Sequence, residues 1–320
     1  MDLRSEGDKT NRKKDKIKGL VFHIIHGSFV DGYGIRTTVF LKGCPLRCIW
    51  CCNPEGQKEN SEIKFTSSHC DGCARCIPVC PVGAIHLDLE RKDHKLLIDR
   101  ELCTNCGMCM DVCYTGALDC FGRYFTVDEL FDVVKKDEQY YRASGGGVTI
   151  GGGEPTFQAS FTLQLIRKCK RSYIHTALDT CGYTTGSEGV KALEEADLLL
   201  FDIKGMDPEE HLSNTGVSNK RIHENLRRRD AIGKPVIVRV PLIPGYTDSD
   251  QNLKATARFL SGLRCVERVD LLAFHEYGNV KYGQLGREYR LGNVQPISQE
   301  RLEQIKTLFE RHGFRTQLGG

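Results

Sequence analysis

Three cysteines, Cys44, Cys48 and Cys51, stand together at C-x3-C-x2-C spacing. Thiolates at this spacing can hold three irons of a 4Fe-4S cube, and because no fourth cysteine follows at ligand spacing, one iron is left open for a substrate. Cys52 is adjacent to Cys51, so its side chain should point elsewhere, and we interpret it as a bystander. A zinc knuckle or buried structural thiols also fit the spacing alone.

Eight further cysteines form two copies of one pattern, C-x2-C-x2-C-x3-C, about 33 residues apart. This matches the bacterial ferredoxin run, in which the fourth cysteine of each copy ligates the cluster of the other copy. Zinc ribbons use pairs of C-x2-C and lack the third close thiol. The second copy has Tyr114 where the motif has proline. The predicted ligands are Cys70, Cys73, Cys76 and Cys113 for cluster one, and Cys80, Cys103, Cys106 and Cys109 for cluster two.

The remaining thiols have no such spacing, and we interpret them as core or incidental cysteines. They are Cys52, Cys120, Cys169, Cys181 and Cys265. Sixteen cysteines in a chain of 320 residues are better explained as reduced cluster ligands than as the disulfides of a small secreted protein. The polar N-terminus lacks the apolar core of a signal peptide, so we expect a cytoplasmic protein.

Charge and hydropathy exclude two classes of partner. The net charge of +3 comes from 45 basic and 42 acidic side chains, so we expect no bulk affinity for nucleic acid or membrane. The basic run at residues 12–18 is short and is interpreted as a solvated arm. No apolar run approaches the roughly 20 residues of a membrane-spanning helix.

The elements that must position the cysteines alternate between strands and helices. Apolar, β-branched segments predict strands at 19–29, 37–41, 147–150, 175–178, 198–201, 236–240 and 269–273. Helices are expected near 158–171, 187–195, 219–231, 250–262 and 298–312. Thr126 followed by Glu129 predicts one more helix with a capped start.

This alternation predicts an α/β fold, a partial (β/α)6 TIM-like barrel with an inserted bacterial-ferredoxin-like α+β domain. We expect the first part of the barrel with the cluster loop at 1–64, the insert with its two clusters at 65–120, and the remainder of the barrel at 121–320. The cluster loop begins where a strand ends, which is where α/β barrels keep their chemistry.

Polar or glycine residues follow the other strand ends. In the turn Gly151–Glu154 glycine allows close backbone approach, and the carboxylate can accept from an ammonium group, although such a turn is more often only a turn. An aspartate at a strand end, such as Asp179 or Asp202, is commonly a helix cap. In isolation Arg239 fits a surface ion pair and His275 a core histidine.

In combination these motifs resemble a known family. The stretch Cys44–Cys51, followed by Asn53 and Pro54, resembles the signature of the radical S-adenosylmethionine (radical SAM) enzymes. The segment Asp31–Thr37 resembles that of one branch, the glycyl-radical-enzyme activating enzymes, of which pyruvate formate-lyase activase is the best-known type. Members of that branch usually have proline where Tyr33 stands, near the place where they meet their protein substrate. The resemblance covers nearly all of residues 19–318.

The resemblance implies a role for each strand end. The Gly-Gly-Glu motif would hold the methionyl amine of SAM, and Gly151 replaces a serine common in the family. Lys204 would lie near SAM and the incoming glycine of the substrate, as a catalytic residue beside the three cysteines. The implied SAM-binding residues are Gly152, Gly153, Glu154, Thr180, Asp202, Arg239 and His275, and the implied site for a monovalent cation, Na+ or K+, is formed by Asp179, Thr180 and Asp202.

The resemblance also implies a reaction. Reductive cleavage of SAM releases a 5'-deoxyadenosyl radical, which abstracts hydrogen from a backbone glycine of a partner glycyl radical enzyme. Flavodoxin or ferredoxin would donate the electron. The cofactors would be three 4Fe-4S clusters and SAM, and the protein would be a monomer. The ferredoxin insert would relay electrons inward or shape the contact with the partner. Inserts of this kind resemble those of activases of choline trimethylamine-lyase, isethionate lyase, arylacetate decarboxylases, glycerol dehydratase and benzylsuccinate synthase.

Two other functions remain open at this point. A radical SAM enzyme acting on a small molecule or another peptide shares the same motifs, and a neighbouring gene for a large glycyl radical enzyme would argue against it. A non-catalytic electron carrier would use the eight ferredoxin cysteines. It leaves the loop Cys44–Cys51 and the Gly-Gly-Glu turn unexplained, and detectable cleavage of SAM would eliminate it.

Overall fold

The computed structural model describes residues 17–88, 96–292 and 294–319. Most of the basic run at 12–18, expected to be a solvated arm, lies outside these described residues. Within them, no helix is both long and apolar enough to cross a membrane.

Thirteen strands and ten α-helices are found in the described part of the chain. The strands are β1 Lys18–Ser28, β2 Arg36–Leu41, β3 Glu62–Phe65, β4 Ile85–Leu87, β5 Leu96–Ile98, β6 Leu118–Phe121, β7 Arg123–Thr126, β8 Gly147–Gly152, β9 His175–Thr180, β10 Leu198–Asp202, β11 Val236–Leu242, β12 Val266–Ala273 and β13 Thr316–Leu318. The helices are α1 Met108–Asp111, α2 Val127–Lys135, α3 Glu138–Ser144, α4 Ala159–Arg171, α5 Ser187–Glu195, α6 Pro208–Thr215, α7 Lys220–Ala231, α8 Asp250–Ser261, α9 Asn279–Gln284 and α10 Gln299–Arg311.

Nine strands form one sheet in the order β13-β12-β11-β10-β9-β8-β2-β1-β7. In this sheet β2 and β8–β13 are parallel to one another, whereas β1 is antiparallel to both β2 and β7. The six parallel strands β2 and β8–β12 are those expected from the sequence, and they confirm the partial (β/α)6 barrel. The short β13 extends one edge of the sheet, and β1 and β7 extend the other.

The central parallel strands are buried on both faces. All seven residues of β11 are buried, and β10 is buried except at its last residue, Asp202. Parallel strands covered by helices on one side and enclosing a barrel on the other must be apolar throughout, which is why they are Val- and Leu-rich. At the start of α2 the expected cap is present, since Thr126 and Glu129 form a reciprocal capping box.

The insert is a small body between β2 and β7 with two two-stranded sheets, β3-β6 and β4-β5. Strands β3 and β6 join its two ends in an antiparallel pair, with Glu62 opposite Phe121. A separate apolar cluster fills it, including Ile63, Ile85, Leu96 and the cysteines Cys76 and Cys109. The α+β character expected of the insert is therefore present, while the division at residues 65 and 120 remains a prediction.

Candidate active site and iron-sulfur sites

A pocket of about 1100 Å³ opens at the carboxyl ends of the parallel strands. The strand register brings the carboxyl ends of neighbouring strands to the same level: Leu41 lies opposite Gly152, and Asp202 lies opposite Arg239. The residues expected from the sequence converge there from the ends of six strands, β2 and β8–β12. Those that line the pocket are Cys44, Cys48, Cys51, Gly152, Gly153, Asp179, Thr180, Asp202, Lys204, Arg239 and His275.

The cysteine loop is pinned at its base by backbone hydrogen bonds. The amide of Gly43 donates to the carbonyl of Gly56 (2.8 Å), and the amide of Glu154 donates to the carbonyl of Gly43 (2.8 Å). A Cβ on Gly153 would collide with the carbonyl oxygens of both Gly43 and Gly56. Glycine is therefore required at 153 so that the glycine-rich turn can lie directly against the loop.

The far side of the loop is held by α6. The amide of Arg47 donates to the carbonyl of Thr215 (2.7 Å), and that of Ile49 donates to the carbonyl of Asn214 (3.0 Å). Four contacts between main chains thus place the three cysteines without using their side chains. The thiols stay free to bind a cluster.

Burial raises the pKa of all three thiols, that of Cys51 to about 11. Thiolates at such a site need compensating positive charge, which the irons of a cluster supply. Among the described residues, no three His, Cys, Asp or Glu side chains are grouped as the ligands of a single metal ion. In a 4Fe-4S cube each thiolate binds its own iron, so this donor set fits such a cluster.

Two further thiols lie in the pocket wall. Cys52, expected to point elsewhere, and Cys181, interpreted as incidental, both line the pocket. Cys181 is 6% exposed, and its Sγ lies 3.0 Å from Oε2 of Glu154. Burial, together with the neighbouring charge of Glu154, raises the pKa of the Cys181 thiol well above its usual range. It is therefore a neutral hydrogen-bond donor.

A network of opposite charges forms one side of the pocket. Arg239, 7% exposed, lies 3.2 Å from Oδ1 of Asp179 and 3.7 Å from Oδ1 of Asp31. Lys204 Nζ lies 2.6 Å from Oδ2 of Asp202. Arg239 is thus a buried ion-pairing residue, which corrects the surface role that it would have in isolation.

The pKa shifts in this network follow from burial and from the excess of carboxylates. Burial raises the pKa of Asp179 to about 6, with Asp202 and Asp31 adding to the shift and Arg239 opposing it. Burial opposes the charge of Lys204, but Asp202 and the thiols of Cys48 and Cys181 raise its pKa well above the usual value. Lys204 therefore stays charged beside Asp202.

Glu154 is the one predicted SAM-binding residue that is not among the described residues lining the pocket, and its contact with SAM stays a prediction. It is fully buried. Its carboxylate accepts from the hydroxyl of Thr156 (2.7 Å), the hydroxyl of Thr180 (2.8 Å) and the amide of Cys181 (2.9 Å). Of the Gly-Gly-Glu turn, Gly152 and Gly153 face the pocket, while Glu154 ties the turn to the end of β9.

The opposite wall is apolar and was not anticipated from the sequence. Trp50 and Phe274 line the pocket together with Ile243, and they belong to one buried cluster. His275 is exposed at the rim, stacked on Tyr277 at 4.5 Å. A wall of this kind suits a planar aromatic ring, whereas the charged side suits an amino-acid group.

The insert contains two small cavities, each lined by four of the cysteines predicted to be cluster ligands. One, of about 330 Å³, is lined by Cys80, Cys103, Cys106 and Cys109. The other, of about 290 Å³, is lined by Cys70, Cys73, Cys76 and Cys113. Each cavity takes three cysteines from one copy of the pattern and the fourth from the other copy, as the ferredoxin pattern predicts. Both donor sets fit a 4Fe-4S cluster.

Comparison with known proteins identifies the domain families of the chain. Residues 104–260 match the Radical SAM superfamily, 69–117 a 4Fe-4S dicluster domain and 30–78 a 4Fe-4S single cluster domain. An isethionate sulfite-lyase activating enzyme of Oleidesulfovibrio alaskensis is 44% identical over 87% of this chain and 91% of its own length. A trans-4-hydroxy-L-proline dehydratase activating enzyme of Clostridioides difficile is 40% identical over 94% of this chain and 99% of its own length.

Among solved structures, a domain of a pyruvate-formate lyase-activating enzyme from Bacteroides vulgatus is similar, with 30% identity and a TM-score of 0.46 over 55% of this chain and 99% of that one. The extent and identity of the sequence matches establish the family, and with it a chemistry based on iron-sulfur clusters and SAM. The chain belongs to the radical SAM activating enzymes of glycyl radical enzymes.

Proposed function

We propose that Cys44, Cys48 and Cys51 hold the cluster that binds SAM, and that the charged side of the pocket holds the amino-acid part of SAM. The observation that carries this proposal is convergence. Glycines, carboxylates and basic side chains at the ends of β8, β9, β10 and β11 meet in one pocket with the three cysteines. The other described thiols that line this pocket are Cys52 and Cys181. Cys52 and Cys181 are not at ligand spacing.

Each group of residues then has a task. Gly152 and Gly153 present backbone to the methionyl amine, while Arg239 and His275 contact SAM from the other strand ends. Asp179, Thr180 and Asp202 form the site for Na+ or K+, and Lys204 keeps its charge near SAM and the incoming glycine. When bound, the cluster and SAM would supply, with one electron from the donor, the 5'-deoxyadenosyl radical chemistry that removes hydrogen from a backbone glycine. The protein's part is to orient SAM and to exclude water.

In this proposal Glu154 acts indirectly. Its hydrogen bonds to Thr180 and to the amide of Cys181 hold the end of β9 against the turn that carries Gly152. A buried carboxylate that accepts several hydrogen bonds is a strong local tie. Glu154 therefore positions both the amine-binding backbone and the cation site.

We propose that the insert holds two further clusters, which brings the total to three. Cluster one uses Cys70, Cys73, Cys76 and Cys113, and cluster two uses Cys80, Cys103, Cys106 and Cys109. The electron donor is a flavodoxin or ferredoxin, and the protein works as a monomer in the cytoplasm. None of its sixteen cysteines, all of which lie in the described residues, forms a disulfide, which fits a reducing compartment.

The partner is a glycyl radical enzyme of the group whose activating enzymes resemble this chain. The names of the two relatives point first to isethionate sulfite-lyase and trans-4-hydroxy-L-proline dehydratase. Anaerobic incubation with each candidate, SAM and reductant should yield a glycyl radical signal in the EPR spectrum of the cognate enzyme. Absence of the signal with every glycyl radical enzyme tested would count against this assignment.

The pocket assignment is tested by anaerobic reconstitution with iron and sulfide. The wild type should bind about twelve irons and cleave SAM with dithionite. A variant with Cys44, Cys48 and Cys51 changed to alanine should keep about eight irons and lose cleavage. The control is Cys120→Ala, which removes a thiol of the insert that has no assigned ligand role. Cleavage by the triple variant would refute the assignment.

A further inference from the structure

One carboxylate lies at the junction between barrel and insert. Glu62, the first residue of β3, is 4% exposed and is approached by cations from two other segments. Lys42 Nζ lies 3.1 Å from Oε2, and Arg287 Nη2 lies 2.5 Å from Oε1, beside the more exposed Lys58 of the same loop at 3.3 Å. A buried carboxylate paired in this way joins three segments.

Two of these cations also hold the cysteine loop. Lys42, which follows β2 and precedes Gly43 and Cys44, is fully buried and donates to the carbonyl of Glu55 (2.6 Å). Arg287 donates to the carbonyl of Pro54 (2.9 Å). Since residues 54 and 55 directly follow the loop, Glu62 is connected to both ends of the segment that carries the three pocket cysteines.

On its other side, Glu62 is next in sequence to the cavity assigned to cluster two. Ile63 lines that cavity, its amide donates to Asn105 Oδ1 (2.9 Å), and its carbonyl accepts from Arg100 (2.5 Å). Arg100 also donates to the carbonyl of Gln284 (2.9 Å), which belongs to the barrel. The junction therefore runs without interruption from the pocket loop to the cluster-two cavity.

Such a buried ion cluster is a poor device for stability alone, because the desolvation of its charges offsets most of their attraction. Buried charges are instead well suited to fix one register between two parts. We propose that Glu62 is a positioning residue that sets the spacing between the Cys44–Cys51 loop and the cluster-two cavity. This inference rests on the cluster assignments under "Proposed function". In this arrangement one electron passes from a donor of the flavodoxin or ferredoxin class, through the clusters of the insert, to the cluster in the pocket. The donor is thereby oxidised by one electron, and the pocket cluster is reduced by one electron.

The test compares Glu62→Gln with Glu59→Gln in the full reconstituted chain. Glu59 is exposed in the same loop, so its change is a matched control. Three quantities are measured: iron content, dithionite-driven SAM cleavage, and the magnetic coupling between reduced clusters from electron spin relaxation. In Glu62→Gln the coupling should change at least twofold with iron retained, and in Glu59→Gln it should equal the wild-type value.

A double variant separates positioning from folding. Lys42→Met combined with Glu62→Gln removes the buried lysine that the single change leaves without a counter-charge. We expect its thermal unfolding to recover while the coupling stays altered, because the tie through Arg287 is still absent. Wild-type coupling in either Glu62 variant, with iron intact, would overturn the inference. Loss of clusters or of SAM cleavage in the wild type would instead overturn the proposed function.

Discussion

The barrel pocket and the cavities of the insert hold cysteines in different surroundings. Five thiols line a pocket of about 1100 Å³, and three of them, at C-x3-C-x2-C spacing, share it with Asp179, Asp202, Lys204 and Arg239. The cluster-two cavity measures about 330 Å³, and its described lining is four cysteines with aliphatic residues, Thr104 and Gly107. A cluster with four thiolate ligands has no open iron, so it can transfer electrons but cannot bind a substrate. A site that leaves one iron open must instead supply room and charges for a ligand.

The largest expected effects test how the insert divides its cysteines. Cys80→Ser should abolish the same EPR signal as Cys103→Ser, although Cys80 belongs to the first copy of the motif. Cys73→Ser should abolish the other signal. Dithionite-driven SAM cleavage should persist in all three, because the pocket cysteines are intact.

If Cys80→Ser and Cys73→Ser abolished the same signal instead, each copy would form its own cluster. The four cysteines that line each cavity would then not be the ligands of one cluster, and the comparison between the cavities and the pocket would be wrong.

A second prediction concerns the charges that the insert cavities lack. Arg239→Gln leaves the half-buried Asp179 and Asp31 without their cation. Because breaking a fully buried pair costs about 3–5 kcal/mol of unfolding free energy, we expect a loss at or below the lower end of that range. Affinity for SAM should fall with it. Urea unfolding and equilibrium dialysis measure the two effects. Arg258→Gln, an exposed change on α8, should alter neither, and equal behaviour of the two variants would contradict the role given to Arg239.

A third prediction concerns acid. The ring of His223 on α7 packs in a tilted arrangement against that of Phe259, with 4.7 Å between centroids, and burial lowers the histidine pKa to about 4, with Arg227 and His211 adding to the shift. Because the unfolded chain binds this proton near pH 6.5, the contribution of His223 is complete above that pH and is lost as the pH falls towards 4.

For the half-buried ring, we expect a loss of about 1 kcal/mol between pH 7 and pH 5. Urea unfolding at both pH values should show this loss in the wild type, and a smaller one in His223→Phe. An equal loss in the two proteins would show that the acid sensitivity of the barrel arises elsewhere.

The smallest expected effect lies where the insert returns to the barrel. Thr126→Ala removes the capping box at the start of α2 and should cost about 1 kcal/mol. Iron content and SAM cleavage should not change, because neither site contacts this cap. Thermal unfolding of Thr126→Ala and of the conservative Thr126→Ser checks the expectation, and loss of iron in Thr126→Ala would mean that the two regions are less independent than they look.

Much of the barrel is predictable from the sequence. Strand and helix bounds of the expected elements agree with the structure within three residues, because buried parallel strands are unbroken apolar runs. Short elements without that signal were missed, such as β7 and α3. The start of α6 was also missed, although Asp207 followed by Pro208 is a regular helix start in which the carboxylate caps the helix.

The pocket is less predictable in its details. Motif order identified eleven of its lining residues, but a lone Cys181 or Trp50 has no spacing that marks it as part of a wall. The direction of the Glu154 side chain depends on Thr180 and Cys181, which are 26 and 27 residues away. Contacts of that range are set by the fold, so the local Gly-Gly-Glu motif does not reveal them.

The contact of Gly153 with Gly43 and Gly56 has a consequence for engineering. Three main-chain segments meet there with no room for a methyl group, so the cysteine loop and the glycine turn move as one body. Libraries aimed at a new partner enzyme should leave these three positions unchanged. Diversity belongs on the exposed rim, for example at Tyr277 beside His275, where the side chain faces solvent and a substitution leaves the shared backbone in place.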